Sequence, residues 1–216
     1  MSIRILIADD HTIVRDGLRH MLQAEEGIEV VGEAANGRDA VTQATRLRPD
    51  VVIMDITMPE LNGIDATGRI RKACPNTRIL ILSMHDTAEY VHRALEAGAS
   101  GYLHKDATRE ELVGAIIRVH RGKQYLSGRA AARMRQGATP QGRLPKRSPM
   151  EKLSSREREI LQLAAEGKSS ARIAQLTGLS RKTVDTYRSR LMAKLGVESF
   201  SDLIRFMIEH GLTPSG

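Results

Sequence analysis

Five polar side chains stand at the points where short apolar runs of the sequence end: Asp9, Asp10, Asp55, Ser83 and Lys105. The run before Asp55 consists of four apolar residues, which is typical of a strand buried on both faces of a parallel sheet. Ligand sites of open α/β sheets lie beyond the carboxyl ends of the strands. We therefore expect these five side chains, although distant in sequence, to converge at one edge of a sheet.

The chemistry of such a cluster follows from its charges. Three carboxylates in one pocket repel each other, and a divalent cation relieves that repulsion. Oxygen ligands without histidine or cysteine favour Mg²⁺ over zinc. Lys105 could hold a phosphoryl oxygen and Ser83 could donate from its hydroxyl. Together these groups could stabilise an aspartyl phosphate formed on Asp55, because phosphoryl transfer depends mainly on positioning and charge neutralisation.

Each of these residues taken alone has a simpler interpretation. A single aspartate after a strand is commonly a turn residue or a helix cap, and Asp9-Asp10 could equally mark a helix start before Thr12. His11 and His104 fall near the pocket, but the seven histidines have no ligand spacing and we interpret them as incidental. Five compatible residues at the ends of predicted strands favour a built site.

Alternating strands and helices must position the cluster. The sequence predicts strands at 3–8, 28–34, 50–54, 79–82 and 101–103. It predicts three helices at 12–23, 37–47 and 64–73. A fourth helix begins with the cap pattern at 86–89 and ends near 97, and a fifth begins with the capping box at 108–111 and ends near 120. The short connections predict parallel strands, right-handed crossovers and helices on both faces, which is a doubly wound α/β sheet.

Residues 1–122 resemble the receiver domain of two-component response regulators. The matching residues are Asp9-Asp10, Asp55, Met58-Pro59, Gly63, Ser83, Tyr102 and Lys105. The resemblance implies a flavodoxin-like, five-stranded parallel sheet of order 2-1-3-4-5. It also implies phosphorylation of Asp55 by a sensor histidine kinase.

The same resemblance implies roles for the surrounding residues. Asp10, Asp55 and the backbone carbonyl of Thr57 would bind Mg²⁺, with Asp9 assisting. Ser83 and Tyr102 would be a switch pair: Ser83 moves to the phosphoryl group and Tyr102 turns into the space that this opens. One departure is visible, because Asp106 follows Lys105 where many receiver domains have proline.

The sequence favours a phosphorylation-gated regulator that is not an enzyme over two other functions. A phosphatase or phosphotransferase of the haloacid dehalogenase type needs a second aspartate two residues after the nucleophilic one. This chain has Thr57 two residues after Asp55. A receiver that only mediates dimerisation would not need the complete set of Asp10, Asp55 and Lys105.

The charge is distributed unevenly along the chain. Residues 1–122 contain 15 Lys and Arg against 18 Asp and Glu, whereas residues 123–216 contain 18 against 8. A basic C-terminal part is typical of a nucleic-acid binder, although a solvated basic surface is the alternative.

Residues 123–152 are predicted to be a linker between the two domains. The linker is predicted to contain a short helix near 128–135 and a Gly- and Pro-rich tether at 136–149.

Within the predicted DNA-binding domain at 153–216, the sequence of residues 154–210 predicts helices only. A Gly-containing turn at 177–179 joins two helices, and the second, at 181–195, is polar and basic, as in a helix-turn-helix. Its apolar stripe is expected to be core: Val184, Tyr187, Leu191 and Leu195. The opposite face would enter the major groove: Asp185, Thr186, Ser189 and Arg190. The flanks would contact phosphates: Lys182, Thr183, Arg188 and Lys194.

This segment resembles the LuxR-type DNA-binding domain. The matching stretches are 153–161, 167–169, 173–174, 179–180, 182–184 and 190–196. A receiver followed by this domain is the layout of the NarL/FixJ subgroup. The resemblance implies a transcription factor that binds double-stranded DNA as a homodimer. Asp185 and Tyr187 depart from the family pattern, so the target sequence cannot be carried over.

The remaining sequence features predict a cytoplasmic protein. No apolar run approaches the roughly 20 residues of a membrane span. The N-terminus enters a strand directly, so we expect no signal peptide and no membrane association. Cys74 is the single cysteine, which excludes an intrachain disulfide and a cysteine-based zinc site within one chain.

Overall fold

The computed structural model describes residues 2–137 and 152–209, which divide into a sheet unit and a helical unit. The strands are β1 (Ile3–Ala8), β2 (Ile28–Ala34), β3 (Val51–Met54), β4 (Arg78–Ser83), β5 (Gly101–His104) and β6 (Tyr125–Leu126). The helices of the sheet unit are α1 (Thr12–Gln23), α2 (Gly37–Leu47), α3 (Gly63–Ala73), α4 (Ala88–Glu96), α5 (Arg109–His120) and α6 (Gly128–Gly137). The helical unit contains α7 (Ser155–Ala165), α8 (Ser170–Thr177), α9 (Arg181–Leu195) and α10 (Phe200–Glu209).

The sheet is parallel throughout, with the order β2-β1-β3-β4-β5-β6. This confirms the predicted fold class and the predicted order of the first five strands. All four residues of β3 are buried, as a central strand covered on both faces requires. On one face Ile5 and Ile53 pack into a core that includes Leu22 of α1 and Ile116 of α5.

A sixth strand extends the predicted five. β6 lies inside the predicted linker and pairs with β5, placing Tyr125 opposite Gly101 and Leu126 opposite Tyr102. The short helix predicted near 128–135 is α6, and it begins directly after β6. The predicted tether at 136–149 falls almost entirely outside the described residues.

Two helix starts in the sheet unit differ in detail from the predicted caps. α4 is preceded by Thr87, whose side chain makes no capping hydrogen bond, so the predicted pattern beginning at Asp86 is wrong. The Asp86 carboxylate instead pairs with arginines of α6. At α5 Thr108 accepts from the Glu111 amide, as predicted, while the Glu111 carboxylate accepts from the Tyr125 hydroxyl at 2.9 Å.

The helical unit begins with a complete capping box. The Ser154 side chain accepts from the Glu157 amide, and the Glu157 carboxylate accepts from the Ser154 amide. α8 and α9 each end at a glycine in the left-handed region, Gly178 (φ 67°) and Gly196 (φ 69°), a conformation that glycine adopts without strain. None of the described helices is long and apolar enough to cross a membrane.

Candidate functional site

The parallel sheet brings the predicted pocket residues to one edge. Asp9 follows β1 and Asp55 follows the adjacent β3, with the Asp55 amide donating to the Ala8 carbonyl at 2.8 Å. Ser83 ends β4 and Lys105 follows β5, with the Lys105 amide donating to the Ser83 carbonyl at 3.0 Å. The backbone ladder therefore sets the spacing of these side chains.

Lys105 joins the two buried carboxylates. Its Nζ lies 2.7 Å from Asp9 Oδ2 and 3.0 Å from Asp55 Oδ2. The Asp9 and Asp55 side chains are only 2% and 4% exposed. The other Asp55 oxygen accepts from the Ile56 amide at 2.7 Å, and Asp9 Oδ1 accepts from the His11 amide at 3.0 Å. Asp9 thus also shapes the turn before α1.

The charges of the pocket perturb each other. Burial raises the pKa of Asp55 from 3.8 to about 6; the Lys105 ammonium opposes that rise and the Asp9 carboxylate adds to it. Burial works against a charged Lys105, but the Asp55 and Asp9 carboxylates outweigh it and hold the pKa of Lys105 above its ordinary value. The pKa of Asp55 therefore lies well above its ordinary value, while Lys105 stays cationic.

The acidic cluster has the donor set of a cation site. Asp9, Asp10, Asp55 and His11 each offer one ligand atom, and these atoms lie within 4.8 Å of one another. Asp10 Oδ1 is buried and has no hydrogen-bond donor among the described residues, although the His11 ring nitrogen lies 2.9 Å away. Three carboxylates that converge on one point suit a bound cation, so these residues fit Mg²⁺. His11, predicted to be incidental, stands in the same cluster.

The predicted switch pair is connected through a residue that the sequence did not single out. The fully buried Ser83 accepts from the His85 amide at 3.2 Å, and the Tyr102 hydroxyl donates to the His85 carbonyl at 2.6 Å. The His85 ring lies 3.0 Å from the Thr57 hydroxyl and stacks on Tyr90 at 4.5 Å. Burial, and then Lys105, lowers the pKa of His85.

Tyr102 is already inside the domain. Its side chain is 1% exposed, and burial raises the pKa of its hydroxyl. In this conformation the Ser83 and Tyr102 side chains are buried together, and the movement of the pair on phosphorylation stays a prediction.

The second half of the chain forms the predicted helix-turn-helix. Ser180 accepts from the Thr183 amide at 3.1 Å and so caps α9. Val184 and Leu191 are buried, and Tyr187 and Leu195 pack against the same core. The face predicted for the major groove is exposed throughout: Asp185, Thr186, Ser189 and Arg190.

The predicted phosphate-contacting residues divide into two groups. Lys182 is exposed and Thr183 partly so. Arg188 Nη1 donates to Ser170 Oγ at 3.0 Å, and Lys194 Nζ lies 2.7 Å from the buried Glu157 carboxylate. Lys194 is therefore engaged within the helical unit, which makes Lys182 the clearest candidate for a phosphate contact.

Two family matches cover most of the chain. Residues 5–117 match the response regulator receiver domain, and residues 151–207 match the LuxR family of bacterial regulatory proteins. The chain is a response regulator. With a receiver and a LuxR-type DNA-binding domain, this response regulator is a regulator of transcription controlled through its receiver.

Several known proteins are similar to this response regulator. The response regulator is 37% identical over 216 residues to the transcriptional regulatory protein MctR of Rhizobium johnstonii, covering 98% of this chain and 95% of MctR. It resembles a LuxR-family two-component response regulator from Aurantimonas sp. (TM-score 0.61, 39% identity, 63% of this chain and 97% of that one). It also resembles RcsB in a structure of two RcsB dimers bound to two parallel DNAs, with a TM-score of 0.60 and 26% identity. That match covers 96% of this chain and 98% of the RcsB chain.

Proposed function

We propose that Asp55 accepts a phosphoryl group from a cognate sensor histidine kinase and that this modification controls the binding of α9 to double-stranded DNA. The observation that carries the proposal is Lys105, whose ammonium lies within 3.0 Å of two buried carboxylates. In the reaction, an Asp55 oxygen forms a bond to phosphorus as the N–P bond of the donor phosphohistidine breaks. The imidazole then leaves and takes up a proton.

The pocket residues support this reaction by neutralising charge. Lys105 would hold a phosphoryl oxygen, and the Ser83 hydroxyl would donate a hydrogen bond to the phosphoryl group. Asp10 and Asp55, the Thr57 backbone carbonyl and Asp9 would hold Mg²⁺. The bound ion would offset the negative charge of carboxylates and phosphoryl oxygens. Ser83 and Tyr102 would act as the switch pair, with the Tyr102 hydroxyl linking β5 to the loop after Ser83 through the His85 carbonyl.

The rim of the pocket suits a protein as phosphoryl donor. Among the described residues, the large hydrophobic side chains that stand exposed are Ile13, at 88%, and Met84, at 65%. Ile13 lies three residues after Asp10, and Met84 directly follows Ser83. A kinase that brings its phosphohistidine to Asp55 would cover this apolar rim.

We also propose the division of the chain into a receiver (1–122), a linker (123–152) and a DNA-binding domain (153–216). In this division β6 and α6 are the part of the linker that packs against the receiver. The DNA complex would contain a homodimer, with α10 as the dimer surface. The RcsB dimers on DNA support a homodimer by similarity.

Acetyl phosphate with Mg²⁺ tests the proposed function on the full chain. We expect intact-mass analysis to show one added phosphoryl group and sedimentation to show more dimer. Affinity for a DNA fragment selected from a random-sequence library should rise on the order of 5- to 150-fold, a typical coupling between two sites. A chain that takes up phosphate without a change in DNA affinity would favour a receiver that acts only in dimerisation.

Replacing Lys182 with alanine is expected to weaken DNA binding equally for all sequences. The slope of log affinity against log salt should become shallower by about 1, because one fewer phosphate is neutralised. Arg188→Ala should change the slope in the same direction. Arg46→Ala removes an exposed cation from α2 and serves as the matched charge control. An unchanged slope in both α9 variants would contradict the phosphate assignment.

A further inference from the structure

The start of α6 is fixed to the strand that carries Tyr102. The Ser127 amide donates to the Tyr102 carbonyl at 3.0 Å, continuing the β5–β6 ladder. The Ser127 side chain is buried and accepts from the Ala130 amide at 3.2 Å. Ala130 itself is 2% exposed, so the first turn of α6 packs into the sheet unit.

Two arginines of α6 then reach the loops that carry the pocket. Arg129 Nη1 lies 2.9 Å from Asp106 Oδ2, and Arg129 Nε lies 3.5 Å from Asp86 Oδ2. Arg133 Nη2 lies 3.5 Å from the same Asp86 oxygen. A single planar guanidinium therefore spans two separate loops, and its contacts depend on the distance between them.

Both aspartates are chain neighbours of pocket residues. Asp106 directly follows Lys105, and Asp86 directly follows His85, whose carbonyl accepts from the Tyr102 hydroxyl. His104 Nε2 lies 3.0 Å from the Met84 carbonyl and joins the same two loops. Any displacement of the pocket ends of β4 and β5 must therefore move the two carboxylates that Arg129 holds.

These contacts are weak enough to be reversible. Arg129, Arg133 and Asp106 are each at least half exposed, and exposed ion pairs change an equilibrium by only about two- to fivefold. A small change in loop spacing can therefore break them.

We propose that α6 is a latch whose docking reports the state of Asp55. Resting on the proposed function, the inference is that Lys105 and Ser83 move toward the phosphoryl group and carry their loops with them. The spacing between Asp86 and Asp106 then no longer fits Arg129, and the part of α6 beyond its buried first turn is loosened. Asp106, which departs from the proline of many receiver domains, is the residue that makes this latch possible. Loosening of α6 acts on the chain that continues to the DNA-binding domain.

Hydrogen exchange measured by mass spectrometry on the full chain tests the latch. Mg²⁺ with beryllofluoride serves as the phosphoryl analogue, and peptides covering 128–135 report on α6. In the unmodified chain we expect these amides to exchange about two- to fivefold faster once the analogue is bound. Arg129→Gln and Asp106→Asn should exchange at that faster rate without the analogue and gain little from it. Arg135→Gln removes an exposed cation from the same helix and should behave like the unmodified chain.

The outcomes separate this inference from the function on which it rests. Native mass spectrometry shows whether beryllofluoride is bound. Bound analogue with unchanged or slower exchange in α6 overturns the latch alone, as does wild-type exchange in Asp106→Asn. A chain that takes up neither beryllofluoride nor acetyl phosphate overturns the proposed function and the latch together.

Discussion

Asp55→Asn is expected to abolish labelling by acetyl phosphate and, without a divalent cation, to stabilise the chain at neutral pH. Labelling disappears because an amide oxygen cannot replace the carboxylate nucleophile. Stability rises because the fold buries a carboxylate whose pKa is raised from 3.8 to about 6, so its charged form is disfavoured. The shift corresponds to about 1–3 kcal/mol at pH 7.

The pH dependence of this effect has a defined sign. Since the pKa is higher in the folded state, the protonated carboxyl contributes stability that is fully present below about pH 3.8 and is lost as the pH rises through about 6. The advantage of Asp55→Asn should therefore be largest above pH 6 and disappear near pH 4. Urea unfolding in a chelator across this range measures it. Asp16→Asn, at an exposed ion pair of α1, should stay within about 0.5 kcal/mol of the unmodified chain.

Mg²⁺ should make the unmodified chain more stable than Asp55→Asn. A ligand that binds only the folded state at 100 times its dissociation constant stabilises that state by about 2.7 kcal/mol. The unmodified chain keeps all the carboxylates of the site, whereas Asp55→Asn lacks one of them. The increase in the free energy of unfolding on adding Mg²⁺ should therefore be larger for the unmodified chain. Persistent labelling of the Asn variant, or equal responses of both chains to Mg²⁺, would contradict the assignment of Asp55.

The sequence predicted the sheet and the convergence of its polar ends because both depend on local patterns. The apolar runs of β1, β3 and β4 are long enough to identify buried parallel strands. Parallel pairing then places Asp9, Asp55 and Lys105 together with no further information. The same holds for α9, where helical spacing alone separates the buried Val184 from the exposed Asp185.

Features that depend on tertiary contacts were missed. β6 has two residues, too few for any periodicity, and exists because the edge of β5 is available for pairing. Asp86 resembles a helix cap in the sequence, yet its carboxylate is held by Arg129 and Arg133, more than 40 residues away. The contacts of His85 could not be predicted from the neighbouring sequence, since its partners include Thr57 from another loop.

Gly63→Ala is the second substitution with a large expected effect, because Gly63 packs directly against the backbone that presents Asp55. A Cβ at this position would lie well inside van der Waals contact of the Asp55 carbonyl oxygen, 2.8 Å from the Asp55 carbonyl carbon and 3.1 Å from Ile56 Cα. The Gly63 amide also donates to the Ile56 carbonyl at 2.8 Å, so α3 cannot move away without losing that bond. Gly63→Ala should lower the free energy of unfolding by about 3 kcal/mol and slow the labelling of Asp55.

Gly68 provides the matched control within the same helix. A Cβ there would lie 4.0 Å from the Ala97 carbonyl oxygen, which is ordinary contact. Gly68→Ala should stabilise α3 by about 0.5–1 kcal/mol, because alanine loses less conformational entropy in a helix. Urea unfolding and the rate of acetyl phosphate labelling, measured on both variants, separate helix propensity from the close approach at Asp55. If Gly63→Ala unfolds and labels like Gly68→Ala, the close contact between α3 and the Asp55 backbone does not position the phosphoacceptor.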